Sequence, residues 1–237
     1  MVRAQPSTIE RESLSHNLLG QRLGRKGRDT RDRIIAATEK LLTEPPGTPV
    51  SLSAVAREAS LGMTTLYLYF SDLPELLIAV LTPIMATGVQ SYIDPMRERW
   101  ADEELGEHCL RFVQAYYAFW VRNSRILHLR NAYADNNDER MRKSRVDSSR
   151  MIIDLLVEQM DAAFSPPPAE RSPAVSMATV LLTGIERMIT VATDANFRNF
   201  APADPDPWIR SLMHAEARLL QLAIVDGRAM ARIHANG

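Results

Sequence analysis

The chain has 237 residues, 46% of them apolar and 24% charged, which is enough to bury one large or two smaller cores and sets aside a disordered chain. Formal net charge is −1, yet residues 1–33 hold eight Lys and Arg against four Asp and Glu, leaving 20 against 25 elsewhere, so positive charge is gathered at the start of the chain. One cysteine, Cys109, excludes an internal disulfide framework; with no stretch read as approaching the ~18 apolar residues of a membrane span, and no apolar signal core at the start, a cytoplasmic protein is expected.

Residues 1–29 read as a flexible basic arm, because Gly20, Gly24 and Gly27 interrupt any helix and six basic residues crowd Arg22 to Arg33. Thr30 has the character of an N-cap for a first helix, in which Ile34, Ile35, Thr38, Leu41 and Leu42 recur at helical spacing before "TEPPGTP" stops it. Ser51 caps a short second helix with Leu52, Val55, Ala56 and Ala59 on its apolar side, and "ASLG" breaks it. A third short helix starts near Gly62 or Met63. After Phe70, Ser71 or Asp72 caps a longer amphipathic helix running through Leu73, Leu76, Leu77, Val80, Leu81, Ile84 and Met85, which Pro83 bends rather than ends. Further helices are expected at 105–122, 124–132, 137–164, 173–197 and 207–233. Ser172 with Pro173, and Asp206 with Pro207, supply cap and first-turn residues for the last two. No segment alternates with strand period, so the expected fold is all-α.

Two short helices joined by a tight turn form a helix-turn-helix, whose second helix enters the DNA major groove. In "MTTLYLYF" the spacing turns Leu66 and Phe70 inward and distributes Met63, Thr64, Thr65, Tyr67, Leu68 and Tyr69 over the tip and outer faces. Hydroxyl groups there can donate to phosphate oxygens without charge, and methyl groups can touch thymine methyls. The stretch "SLSAVAREASLGMTTLYLYFSDLPELL" resembles, without insertion or deletion, the N-terminal signature of the TetR family of bacterial transcriptional regulators, at Ser51, Val55, Ala56, Ala59, Leu61, Thr65, Leu66, Tyr67, Tyr69, Phe70, Leu76 and Leu77. The likeness covers about residues 30–80. It departs where Ser60 replaces the turn glycine, Gly62 the usual serine, Met63 a basic residue and Leu73 a lysine.

The resemblance implies a helix-turn-helix DNA-binding domain over 30–89 and a ligand-binding and dimerisation domain over 90–237. It implies a repressor that leaves a palindromic double-stranded operator when a small molecule binds, with no enzymatic activity. Between Ile34 and Leu77 only Lys40 and Arg57 are basic, against five carboxylates, so phosphate neutralisation is expected from the arm, with Arg25, Lys26 and Arg28 foremost. Ser51 and Ser53, at the start of the second helix, complete the candidate DNA-binding set. An architectural or protein-partnered DNA-binding protein without an effector is the alternative reading.

In the C-terminal part, the helices at 173–197 and 207–233 carry apolar stripes wide enough to serve both the subunit core and a homodimer interface. The stretch "CLRFVQAYYAFWVRN" places Cys109, Phe112, Val113, Tyr116 and Trp120 on one face, and Arg145 and Ser149 continue the apolar stripe of Ile152, Ile153 and Leu156. Aromatic walls with inward polar groups suit a small aromatic or phenolic ligand. The candidate ligand residues are therefore Tyr116, Trp120, Arg130, Arg145 and Ser149, and an inward arginine would need a partner such as Asp94, Asp147, Glu186 or the ligand itself. No C-x-x-C, H-E-x-x-H or phosphate loop occurs, and no nucleophile set is recognisable. No metal or cofactor is expected.

Overall fold

The computed structural model describes residues 18–45, 47–160, 173–194 and 205–235. Among them the fold is all-α, with no strand. The helices are α1 (Arg25–Thr43), α2 (Leu52–Glu58), α3 (Met63–Leu66), α4 (Leu73–Gly88), α5 (Leu105–Arg122), α6 (Ser124–Asp135), α7 (Glu139–Met160), α8 (Pro173–Thr193) and α9 (Asp206–Ala235). A π-helical turn at Val89–Ile93 and a 3-10 turn at Asp94–Met96 follow α4 directly. The chain divides into two compact units, Met1–Pro83 and Ile84–Gly237. The cap expected at Ser172 lies outside the described residues.

In the first unit, α1 packs on α2 and α2 on α3. Ile34, Ala37 and Leu41 of α1 meet Val55 and Ala56 of α2, and Leu66, Phe70 and Leu76 close the cluster. A core this small holds because nearly every apolar residue at helical spacing turns inward. Helix α1 begins at Arg25, with Gly24 in the cap position, so Thr30 is not an N-cap. Its hydroxyl instead bonds back to the Lys26 carbonyl at 2.9 Å. The helix thus takes in residues 25–29, which sequence composition had assigned to the arm. Asp72 is the cap of α4: its Oδ1 accepts from the Glu75 N–H at 2.8 Å, while Glu75 reaches back to the Ser71 N–H and hydroxyl, both at 2.7 Å. Pro83 lies inside α4, which continues five residues beyond it.

In the second unit, α9 packs on α5, α7 and α8, and α7 also packs on α6 and α8. Trp120, Leu127, Met141, Ile152, Leu156, Ile185, Leu220 and Ile224 are fully buried there. Buried Gln159 joins three segments: its amide donates to the Met96 and Glu98 carbonyls, and its Oε1 accepts from the Trp100 N–H and from Arg228. Arg228 also pairs with Asp102. Helices α4 with its π and 3-10 extensions, over Leu73–Met96, and α8 are long and apolar enough to cross a membrane by length and composition. This corrects the expectation that no stretch approaches the ~18 apolar residues of such a span.

Candidate functional site

The turn between α2 and α3 is a Schellman closure: the Ser60 N–H donates to the Arg57 carbonyl at 3.1 Å and the Leu61 N–H to the Ala56 carbonyl at 2.8 Å. This geometry demands left-handed backbone at the residue after the cap, and Ser60 adopts it with φ 52°. Ser51 caps α2 by accepting from the Ala54 N–H at 3.2 Å and lies 3.0 Å from the Ser53 hydroxyl. Arg33 of α1 donates to the Ala59 carbonyl at 2.6 Å and so fixes the end of α2.

Helix α3 is one turn long and then tightens: the Leu68 N–H reaches the Thr65 carbonyl and the Tyr69 N–H the Leu66 carbonyl, before Phe70 returns to Leu66. Leu66 and Phe70 are buried as spacing requires. Thr64 and Tyr67 are exposed, Tyr67 by 49%, while Thr65 and Leu68 are half-buried. Met63 and Tyr69, expected at the tip and outer faces, are half-buried and packed on the core cluster. The tip thus exposes two hydroxyl side chains, Thr64 and Tyr67, and holds a third, Thr65, half-buried.

The chain segment that carries the N-terminal cations is joined to this tip. The Leu18 N–H donates to the Leu68 carbonyl at 2.9 Å, so the segment before α1 is tied to the end of α3. Arg31 lies with its guanidinium carbon 5.3 Å from the Phe70 ring centroid. Burial lowers its pKa, countered by Asp32 and Glu75. Arg28 donates to the Leu23 carbonyl at 3.0 Å. Arg22, Arg25 and Lys26 are exposed, and Arg25 and Lys26 form no ion pair among the described residues. The first turn of α1 contains no acidic residue. Arg25, Lys26 and Arg28 there oppose the helix dipole, which an anion placed near them would relieve. Lys40, by contrast, is committed to Glu58.

The second cluster lies wholly in the unit after residue 83. Tyr116 of α5 donates its hydroxyl to Glu186 Oε1 at 2.9 Å, and Ser149 of α7 donates to the same oxygen at 3.3 Å. Arg130 of α6 is only 3% exposed. It donates to Asn131 Oδ1 from Nε and Nη2, at 3.2 and 3.1 Å, and to the Ser148 hydroxyl at 3.3 Å. Its guanidinium carbon lies 5.8 Å from the Trp120 ring centroid. Burial lowers the Arg130 pKa, and Tyr116, Glu186 and Tyr92 pull the other way. Tyr92, on the π turn, meets Tyr116 and Phe119 edge-on at 4.9 and 5.3 Å, and burial pushes its hydroxyl up to about 12. A Cβ on Gly88 would stand 2.9 Å from the Tyr92 hydroxyl oxygen and 3.1 Å from Phe119, so any larger residue there would have to shift this aromatic packing. His128 bonds Thr193 at 2.9 Å and has its pKa lowered by burial.

Four of the five candidate ligand residues, Tyr116, Trp120, Arg130 and Ser149, therefore come together. Arg145 does not join them by hydrogen bond: it pairs with Asp135 at 2.7 Å on an exposed edge. Sequence reasoning weighed Glu186 only as one possible arginine partner. Its signal was a carboxylate set between Leu182, Ile185 and Ile189, all buried. Among the described residues no group of three or more His, Cys, Asp or Glu could hold a metal ion.

Neither a protein-family model nor a curated protein sequence matches the chain. Solved structures do. A crystal structure of a TetR-like transcriptional regulator from Rhodococcus sp. RHA1 superposes with TM-score 0.54 and 16% identity, over 83% of this chain and 96% of that one. The fold is TetR-like. A second transcriptional regulator from Rhodococcus sp. Rha1 superposes with TM-score 0.59 and 16% identity, over 80% of this chain and 95% of its own. Within the TetR-like fold, the short α3 that follows the Ser60 turn is the second helix of the helix-turn-helix, and the Arg130 cluster belongs to the larger unit that follows it.

Proposed function

We propose that this chain is a cytoplasmic, dimeric DNA-binding transcriptional regulator, a repressor that leaves its palindromic operator when a small molecule occupies the larger domain. The observation that carries the reading is the exposed, uncharged tip of α3 held beside a cationic segment by the Leu18–Leu68 hydrogen bond. Thr64, Thr65, Tyr67 and Leu68 reach base edges and phosphates in the major groove, while Met63 and Tyr69 brace the tip on the core. Arg22, Arg25 and Lys26 neutralise phosphates, with Arg28 and the α2 hydroxyls of Ser51 and Ser53 at the margin.

Groove reading at a palindrome needs two heads about 34–36 Å apart. Supporting a dimer are Met177 and Val180 on α8 and Leu219, Leu222 and Val225 on α9, all large apolar side chains exposed on the single subunit, Val180 by 68%. Pairing two copies through α8 and α9 would also account for the high hydropathy of α8 without a membrane. The ligand is bound by Tyr116, Trp120, Arg130 and Ser149, and it acts only if it prefers the arrangement whose heads do not match successive grooves.

Footprinting the full chain on the DNA upstream of its own gene tests this. One or a few protected inverted repeats are expected, lost when the effector is added. Dispersed or absent protection would refute an operator-specific regulator.

A further inference from the structure

We infer that the Arg130–Glu186 cluster binds a small aromatic acid that also carries a hydroxyl, its carboxylate taken by Arg130 and its hydroxyl donating to Glu186. The inference rests on reading the larger domain as the effector-binding part of a regulator, and it adds the chemistry of the effector.

A guanidinium buried as deeply as Arg130 is ordinarily matched by a carboxylate. Here its hydrogen bonds all go to neutral oxygens, of Asn131 and Ser148, at 3.1 to 3.3 Å. That is the long end of the range for N–H donors, and no carboxylate among the described residues forms an ion pair with it. Glu186 is close enough to influence Arg130 electrostatically, yet its Oε1 is taken by the Tyr116 and Ser149 hydroxyls. Two opposite charges thus belong to one cluster, each held by neutral groups instead of by the other.

A planar carboxylate would convert the weak Arg130 bonds into a charge-assisted pair. A ligand hydroxyl would replace the 3.3 Å contact from Ser149 to Glu186. Trp120 under the guanidinium, and Tyr116 stacked on Phe112 with centroids 5.9 Å apart, are buried rings that an aromatic ligand body entering the cluster would pack against. Asn131, Ser148, Ser149 and Glu186 are half-buried, so the polar side of the cluster reaches solvent.

The test is calorimetric titration of the full-length protein with four probes: para-hydroxybenzoate, para-hydroxybenzamide, benzoate and phenol. Para-hydroxybenzoate should bind tightest, with the amide and phenol weaker by about tenfold or more, since each lacks the charge that Arg130 would pair. Arg130→Gln should abolish the preference for acid over amide. Glu186→Gln should abolish the preference for hydroxybenzoate over benzoate and leave the acid preference intact. The probe comparison on the unaltered protein stands even if a variant fails to fold. Equal binding of acid and amide, binding of none of the four at millimolar concentration, or a folded Arg130→Gln that keeps the acid preference would overturn the inference. Gel shift on upstream DNA without any probe reports on the regulator reading separately: retained DNA binding with silent titrations removes only this inference, whereas probe binding without DNA binding removes only the regulator.

Discussion

At the scale of single residues, Ser60 is the clearest departure from what its backbone asks for. A left-handed conformation costs an L-residue about 1–2 kcal/mol, while glycine gives part of that back through its freer unfolded state. Ser60→Gly is therefore expected to stabilise the head by about 0.5–1 kcal/mol, read as a higher denaturant midpoint at unchanged slope. The adjacent helix separates reading from packing. Tyr67→Ala should weaken operator binding with stability kept within about 0.5 kcal/mol. Phe70→Ala should cost about 3–5 kcal/mol through the cavity it leaves in the head core; loss of stability in both, with DNA binding intact in Tyr67→Ala, would reverse the face assignment. Periodicity made Leu66 and Phe70 legible, because burial at four-residue spacing is a one-helix property. Tyr69 is not, since the chain tightens after the single turn of α3 and brings its side chain against the core, whereas Met63, three residues before Leu66, shares its face by ordinary helical spacing. Arg130 is 3% exposed although an arginine is more often solvated. Its burial comes from packing of α6 on α7 and α8, which no local pattern reports.

At the scale of elements, caps and breakers were readable where they are chemical. Asp72, Ser51 and the first-turn prolines Pro173 of α8 and Pro207 of α9 follow from hydrogen-bonding capacity and fixed φ, whereas Asp206 is the first residue of α9 instead of its cap, the Ile209 N–H donating to the Pro205 carbonyl at 2.9 Å. The start of α1 is not legible, because glycines and a run of basic residues argue against a helix while propensity yields to tertiary support: buried Leu23 and the Arg28 bond to its carbonyl anchor the entry to α1. A deletion of residues 1–28 would accordingly cut into α1, so substitutions are the cleaner probe of the cationic segment. The crossing of α9 and α7 is set by Gly227, where a Cβ would stand 2.8 Å from Met160 Cβ and 3.3 Å from its Cα. Backbone contact on that side leaves little room to yield, so Gly227→Ala is expected to destabilise the larger domain by about 1–3 kcal/mol, measured by thermal melting. An unchanged melting curve would mean that the two helices can separate freely.

For the molecule as a whole, the proposed function requires a pair of subunits, and the face proposed to pair them is visible as wide apolar stripes on α8 and α9. Val180→Asp with Leu222→Asp places charge where apolar surface is otherwise exposed to solvent. The expected result is a monomer by sedimentation at micromolar concentration, folded, and without operator affinity; a dimer that persists would move the interface elsewhere. The most direct measurement is the salt dependence of operator affinity, compared between the native chain and Arg25→Gln with Lys26→Gln. If a nearly uncharged helix tip reads the groove while the cationic segment holds the phosphates, the double variant loses about two units of log–log slope and keeps its preference for the palindrome. Parallel salt lines for the two proteins would contradict that division of labour.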